Sequence, residues 1–220
     1  MKVLGMDPSL RNFGWVVLEG DEVLARGRFQ TDAKTLFIDR YVHLRESVIA
    51  LIAEYGIRFI GCEYPIFKDL YSEGMYGLFL YTAEAVKISQ GDVVYFSPGQ
   101  VKAHARLFLK RPSGWKMEKV DMVEAAKKSS PSPKWDHNEA DAYWVAKAAQ
   151  RFWQFVLGEI TADDLTRVER QQFADVRTPQ RGKNAGKVIQ KGILFREDER
   201  FFRWSDNGDQ EEDIKECSTV

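Results

Sequence analysis

Apolar residues recur in two rhythms along this chain. The first thirty residues carry short apolar runs at 2–6 (KVLGM), 13–18 (around Gly14) and 22–29 (EVLARGRF), parted by Pro8, Ser9, Asn12, Gly20 and Asp21. Runs of this length between turn formers predict three consecutive antiparallel strands. The rhythm then changes. Leu36, Phe37, Tyr41, Leu44, Val48, Leu51, Ile52 and Tyr55 fall at helical spacing until Gly56, which predicts a long amphipathic helix. IRFIGCEY (57–64) predicts a buried strand, residues 73–89 a helix, DVVYFS (92–97) a fifth strand, and the stretches near 117–128 and 137–156 two further helices.

Three strands followed by alternating helices and strands is the element order of an α/β RNase H-like fold, in which a mixed five-stranded sheet, three antiparallel strands and then two parallel ones, is flanked by helices. A doubly wound sheet is the alternative, but it needs helices between its opening strands. Residues 1–155 are expected to form this domain, 156–204 a basic and aromatic C-terminal extension, and 205–220 an acidic disordered tail.

With 220 residues, 44% hydrophobic and 13% aromatic, the chain can bury a sizeable core. Its two cysteines, Cys62 in a core strand and Cys217 in a polar tail, make neither a disulfide framework nor a zinc site, which suits a reducing compartment. The first residues read as a strand rather than a leader, and nowhere do 18 apolar residues run together, so a cytoplasmic protein without a membrane partner is expected. Net charge is −1, but unevenly spread: residues 205–220 hold six acids and one base, leaving 31 bases against 27 acids elsewhere. A mildly basic body is compatible with a nucleic-acid partner.

Three carboxylates from distant parts of the chain carry the chemistry. Asp7 closes the first strand. Alternation along IRFIGCEY turns Phe59, Gly61 and Glu63 to one face and Ile60 and Cys62 to the other, so Glu63 closes its strand as Asp7 does, and neighbouring parallel strands would bring the two together. In WDHNEADAYWVAKAA (135–149), Asp136 and Glu139 have capping-box spacing and hence a structural role. Asp141 has none. It borders the stripe Ala142, Val145, Ala149 and Phe152, one turn after His137 and Asn138. Singly, each acid could be a strand-end or helix-edge carboxylate that reaches solvent. Together they make an all-oxygen site for one or two Mg²⁺ ions, suited to phosphodiester hydrolysis.

Those residues sit in motifs that resemble a known family. LGMDPSLRNFGW (4–15) looks like the opening D-P-G-S-x-x-x-G motif of the RuvC-type Holliday junction resolvases; IGCEYPIF (60–67) resembles their second acid-bearing strand, SPGQVKAHA (97–105) their P-x-x-V-K segment, and NEADAYWVAKA (138–148) their D-x-x-D-A helix. The resemblance runs over residues 1 to about 153. It implies that Asp7, Glu63 and Asp141 are catalytic metal ligands for two Mg²⁺ ions per site, with Mn²⁺ as a substitute. The fourth ligand position, an acid or histidine in the family, is Asn138 here, with His137 beside it as the alternative. Ser9 stands where the family usually has Gly.

The same resemblance makes Lys116 a catalytic basic residue near the scissile phosphate, places Lys102 in the P-x-x-V-K segment as either a DNA contact or a solvated lysine, and offers Phe67, with Tyr64 nearby, as an aromatic wedge for the junction. It further implies a C2 homodimer on four-way or other branched DNA and no nucleotide cofactor. The helix at 73–89, with Tyr76, Leu80, Tyr81, Glu84 and Ile88, is the candidate dimer face. Outside the resemblance, Arg177–Gly192 interleaves glycines with bases, among them Arg181, Lys183 and Lys187, and reads as a mobile arm that follows a phosphate backbone. Two other functions compete: a catalytically weak branched-DNA-binding module on the same fold, favoured by Asn138, and an actin-like phosphotransferase, for which the chain lacks the further Gly-rich nucleotide motifs. His43 and His104 read as packing or surface residues.

Overall fold

Alternation along the first strand gives its sheet two packed faces. The computed structural model describes residues 1–64, 72–112, 114–131 and 134–173, and beyond them only the strand segments at 176–177, 189–190, 194–197 and 200–203. The strands β1 (Lys2–Asp7), β2 (Asn12–Glu19), β3 (Glu22–Gln30), β4 (Phe59–Glu63) and β5 (Asp92–Phe96) lie in the order β3-β2-β1-β4-β5. β1, β2 and β3 pair antiparallel, while β4 joins β1 and β5 joins β4 in parallel. This is the mixed sheet that the element order predicts. Two compact units divide the chain, Met1–Trp153 and Gln154–Val220.

One face of the sheet presents Leu4, Met6, Phe13, Val17, Ile60, Cys62 and Val93 to α1 (Phe37–Tyr55) and α2 (Ser72–Ile88), whose Leu44, Val48, Ile52, Leu78 and Val86 complete a buried cluster. Each such side chain contributes about 1.5–3 kcal/mol through burial. α1 ends where expected, at Gly56 with φ 61°, a left-handed cap that any side chain would resist. Between the two helices, Tyr81 stacks on Tyr41 with centroids 5.3 Å apart, and Glu84 accepts a hydrogen bond from Arg45 at 3.1 Å. Of the five residues expected on a dimer face, these two are therefore committed within the layer; Tyr76, Leu80 and Ile88 remain exposed.

The other face is shaped for α5 (His137–Val156). A Cβ added to Gly14 of β2 would stand 2.3 Å from the Asn138 carbonyl oxygen, one on Gly5 of β1 would stand 2.2 Å from that of Ala142, and one on Gly61 of β4 would stand 2.5 Å from the Ala149 Cβ. Three glycines on three adjacent strands thus form a diagonal groove that lets the helix backbone touch the sheet. Gln150 donates to the Gly20 carbonyl at 2.7 Å and Trp153 to that of Ile60 at 3.3 Å, which pins the helix along the groove.

α5 is buried more widely than its predicted stripe. Asn138, Ala140, Tyr143, Trp144, Ala146 and Ala148 are covered as well. The cover comes from α3 (Pro98–Phe108) and α4 (Lys119–Ser129): Phe108 packs on Trp144 at 5.3 Å, and the hydroxyls of Tyr143 and Ser129 share a hydrogen bond of 2.6 Å. α3 is an addition to the predicted elements. Its start is written as Ser97, Pro98 and Gln100: the Gln100 N–H donates to Ser97 Oγ at 3.4 Å and the Ser97 N–H to Gln100 Oε1 at 2.7 Å, with proline in the first turn.

In the second unit, Thr166 and Glu169 form a capping box that starts α6 (Arg167–Phe173), and Phe173 stacks on Phe155 with centroids 6.4 Å apart. β6 (Val176–Arg177) pairs antiparallel with β7 (Ile189–Gln190), and β8 (Leu194–Glu197) with β9 (Arg200–Arg203). A short ladder thus ties together the two ends of the segment expected to be a mobile arm. Arg181, Lys183, Lys187 and residues 205–220 lie outside the described residues.

Candidate active site

Asp7 and Glu63 end two adjacent parallel strands at the same level. The β1–β4 register pairs Gly5 with Gly61 and Met6 with Cys62, so the next residues along are Asp7 and Glu63. Side chains alternate, and Gly5 and Gly61 both lie under α5; two residues on, Asp7 and Glu63 turn to the same helix. Asp141 precedes Ala142, whose carbonyl sits over Gly5, which brings the third acid above the first two. Cys62 points into the opposite core and is fully buried.

The electrostatics join the three carboxylates into one site. Burial, then the negative charge of Asp141, pushes the Asp7 carboxyl up to about 7, with Lys119 pulling it down. Burial, then Asp7 and Asp141, pushes Glu63 up to about 8, offset in part by Lys102. Asp141 rises to about 6 through burial, against the pull of Lys102, His137 and Lys119. Three half-buried acids that each resist ionisation mark a site where their joint negative charge is under-compensated, and a cation would favour the ionised form of all three.

The start of α5 is held from two sides. Asp136 caps it by accepting from the Asn138 N–H at 2.9 Å, and the Asp136 N–H donates to Glu139 Oε2 at 3.4 Å, the reciprocal bonding expected from the sequence with the cap taken at the second helical residue. The Asn138 amide nitrogen also donates to Asp136, at 3.0 Å, so its carbonyl oxygen is the end available to a cation. From edge strand β3, Arg28 pairs with Asp136 at 3.2 Å, and Arg26 lies 4.0 Å over the Trp135 ring, 3.5 Å from Glu139 and 2.6 Å from the Lys134 carbonyl oxygen. Sequence reasoning had no means of assigning these arginines, which lie 108 residues from their partners. His137 is half-buried, 3.8 Å from Asp136 through Nδ1, and when protonated its charge favours the ionised form of Asp141.

The lysines are arranged differently from the sequence expectation. α4 starts at Lys119, two residues later than expected, because Asp121 accepts from the Glu118 N–H at 2.9 Å and fixes the first turn there. Lys116 lies ahead of the helix, as expected, but it is 89% exposed and paired with Glu118 at 3.0 Å. Lys119, not singled out from the sequence, acts on Asp7 and Asp141, and Lys102 of α3 acts on Glu63 and Asp141. Tyr64 packs edge-on against Phe79 at 5.2 Å and Tyr95 at 6.1 Å, a core role. His104 is buried edge-on against Phe96, and His43 is exposed on α1. Phe67 lies outside the described residues.

The donor set fits a hard divalent ion: three carboxylates and an amide oxygen, with the nearest thiol turned away. Among the described residues no three His, Cys, Asp or Glu side chains close into a preformed metal cage, as expected of acids that repel one another without a cation.

No protein-family model matches the chain. Its sequence is similar to that of crossover junction endodeoxyribonuclease RuvC from Sphingopyxis alaskensis, 37% identical over 73 residues, or 31% of this chain and 47% of the relative. RuvC of Caulobacter vibrioides is 41% identical over 58 residues, 24% of this chain and 34% of the relative. Across the fold, the chain superposes on Thermus thermophilus RuvC, solved in complex with a Holliday junction substrate, with a TM-score of 0.55 at 17% identity over 66% of this chain and 90% of that one. The fold is that of RuvC. It is an RNase H-like fold, as the order of elements predicts. By sequence the chain spans about half the length of the first of these RuvC relatives and about a third of the second. None of the described helices is long and apolar enough to cross a membrane.

Proposed function

We propose that the chain is a RuvC-type, divalent-metal-dependent endonuclease that cuts four-way and other branched DNA by paired symmetric nicks. The observation that carries this reading is the meeting of Asp7, Glu63 and Asp141, from β1, β4 and α5, on one face of a RuvC fold, each held above its ordinary carboxylate range. Asp7, Glu63 and Asp141 would hold the ions, Mg²⁺ by preference, with the Asn138 carbonyl as a weaker neutral donor and His137 beside it. Bound there, the ions would supply a polarised water and charge stabilisation for the phosphate in flight. The chain's own contributions are distinct. Lys119 and Lys102 present cations from α4 and α3 to the scissile phosphate and partly offset the rise of the acids; Arg26, Arg28 and Asp136 hold the first turn of α5 in place; Gly5, Gly14 and Gly61 set the height of α5 above the strands.

Residues 156–204, with Arg181, Lys183 and Lys187, are proposed to extend the DNA footprint, and Phe67 to stack on bases at the branch point. Tyr76 and Leu80 are proposed to form a homodimer face, since two symmetric nicks need two sites. The test is cutting of a synthetic four-way junction in Mg²⁺, with linear duplex of the same sequence as control. Junction-selective nicking lost in Asp7→Asn, Glu63→Gln and Asp141→Asn supports the reading; tight junction binding with no cutting in any divalent ion would replace it with a branched-DNA-binding module.

A further inference from the structure

Beyond Lys119, α4 and the approach to α5 enclose an open pocket of about 770 Å³ that the carboxylate site does not use. Its wall is apolar, built from Val120, Val123 and Trp135, and its rim carries Lys119, Lys127 and Lys128. We propose that this pocket receives one unstacked base of the DNA strand beside the scissile phosphate. The inference deepens the nuclease reading above and rests on it.

Four observations lead there. The first is shape: the volume lies in the range of sites that take small organic ligands, of which a single nucleotide is one. The second is the pairing of an apolar wall with a cationic rim, which matches the flat apolar face and charged edge that a nucleotide presents. Of the acids that also line the pocket, Glu124 is neutralised by Lys128 at 2.6 Å and Arg111 at 3.5 Å, and Asp136 by Arg28 at 3.2 Å. Among the described residues Lys127 has no such partner, so the rim keeps positive charge. The third is Val120, which is 76% exposed in the first turn of α4. A β-branched apolar side chain held in water beside a functional lysine is stabilised when a flat ligand covers it.

The fourth observation is continuity. Lys119 and His137 line the pocket, and the same two side chains act on Asp141. The pocket and the carboxylate site thus share Lys119 and His137 as a common border, which a strand with a base against Val120 would cross. Strands at a branch point give up a base at little cost, whereas duplex must first unstack and unpair it. The pocket therefore favours branched over linear DNA, independently of any wedge.

The experiment measures binding apart from cutting. Asp7→Asn protein, expected not to cut, is titrated by fluorescence anisotropy with four-way junctions in which one abasic nucleotide is moved stepwise across the three positions on either side of the nick. Affinity should fall about tenfold at one or two adjacent positions and be unchanged at the rest. Adding Val120→Asp, an exposed substitution whose folding is checked by circular dichroism and thermal melting, should weaken binding of the intact junction to the same extent and abolish the abasic effect. A flat abasic scan overturns the proposal, as does an unchanged affinity in Val120→Asp, which would leave the pocket to a peptide or other protein partner. The two readings fail separately: wild-type cutting with a flat scan removes the pocket alone, while a positional scan with no wild-type cutting removes the nuclease reading and leaves the base pocket.

Discussion

The backbone of Gly14 lies against that of Asn138, so close that a Cβ on Gly14 would stand 2.3 Å from the Asn138 carbonyl oxygen and 2.7 Å from its carbonyl carbon. The contact sets where the first turn of α5, with Asn138 and the nearby Asp141, stands over Asp7. Gly14→Ala forces the helix start away from β2, where a terminal turn can yield by fraying. It should cost about 1–3 kcal/mol of stability in urea melts and raise the Mg²⁺ needed for half-maximal cutting severalfold. Gly5→Ala meets the backbone of Ala142 and Ala146 in mid-helix, at 2.2 and 2.4 Å, where nothing can fray. It should cost more than Gly14→Ala, and soluble, cooperatively melting Gly5→Ala protein of wild-type stability would refute the groove.

The raised carboxyls make the metal-free protein sensitive to pH. A group whose folded pKa exceeds its unfolded one contributes stability that is lost as pH rises through the folded value. Asp141, Glu63 and Asp7 are raised from 3.8, 4.5 and 3.8 to about 6, 8 and 7, so the window opens near pH 4 and closes near pH 8, and between pH 6 and 8 the loss comes from Asp7 and Glu63. Metal-free protein should therefore melt lower at pH 8 than at pH 6, and Mg²⁺ should recover more of the loss at pH 8. Asp7→Asn removes a buried charge and should raise the metal-free melting temperature at pH 8 by roughly 2–8 °C while abolishing cutting. A flat pH profile between 6 and 8 would mean that the acids are solvated and not a shared site.

Two lysines three residues apart separate the sequence expectation from the observed geometry. Lys119 acts on Asp7 and Asp141, whereas Lys116 is paired with Glu118 in solvent. Under single-turnover conditions Lys119→Ala should slow cutting by about 10²–10³-fold, the size of loss seen when one transition-state donor is removed. Lys116→Ala should change it less than threefold. The reverse ranking would return the phosphate-facing role to Lys116.

Much of this site is legible in the sequence because strand periodicity is rigid. Once β1 and β4 are strands, alternation alone puts Asp7 and Glu63 on the face of Gly5 and Gly61, and the spacing of α5 puts Asp141 beside its packing stripe. What stays hidden depends on long-range register. Arg26 and Arg28 read as polar residues of an edge strand, and only the β2–β3 pairing turns both toward Asp136 and Glu139. Lys119 was not singled out because the family resemblance points to Lys116, three residues earlier in the approach to α4. The breadth of α5 burial was missed because α3, which supplies Phe108 against Trp144, starts in a short S-P-G-Q signal that carries little apolar periodicity.

The clamp from β3 should act on metal binding more than on folding. Arg28 and Asp136 are each about a third or less exposed, so their ion pair is worth at most about 1 kcal/mol. Arg28→Ala should thus lower the melting temperature by only a few degrees. Loss of the pair frees Asp136 to swing away from Asn138, so the same variant should weaken Mn²⁺ binding, read by calorimetry, several-fold, and Arg28→Lys should recover part of it. Equal Mn²⁺ affinity in wild type and Arg28→Ala would reduce Arg28 to a surface residue.

The outer side of α2 carries the remaining prediction. Tyr81 and Glu84 are engaged with Tyr41 and Arg45 of α1, yet Tyr76 and Leu80 are 54% and 46% exposed, and Ile38 and Val42 of α1 are exposed as well. Large apolar side chains exposed on two adjacent helices are the kind of surface that takes a partner. If a second copy covers it, the contact is isologous and Leu80 meets the same surface on the partner. Leu80→Glu would then place a charge in that contact and shift the protein from dimer to monomer by light scattering at micromolar concentration. The acids are untouched, so single nicks should persist, but the two incisions of one junction should become independent, and a nicked junction should accumulate before linear product appears. Leu80→Glu protein that remains dimeric would move the interface elsewhere; a wild-type monomer that still makes paired incisions would remove the need for one.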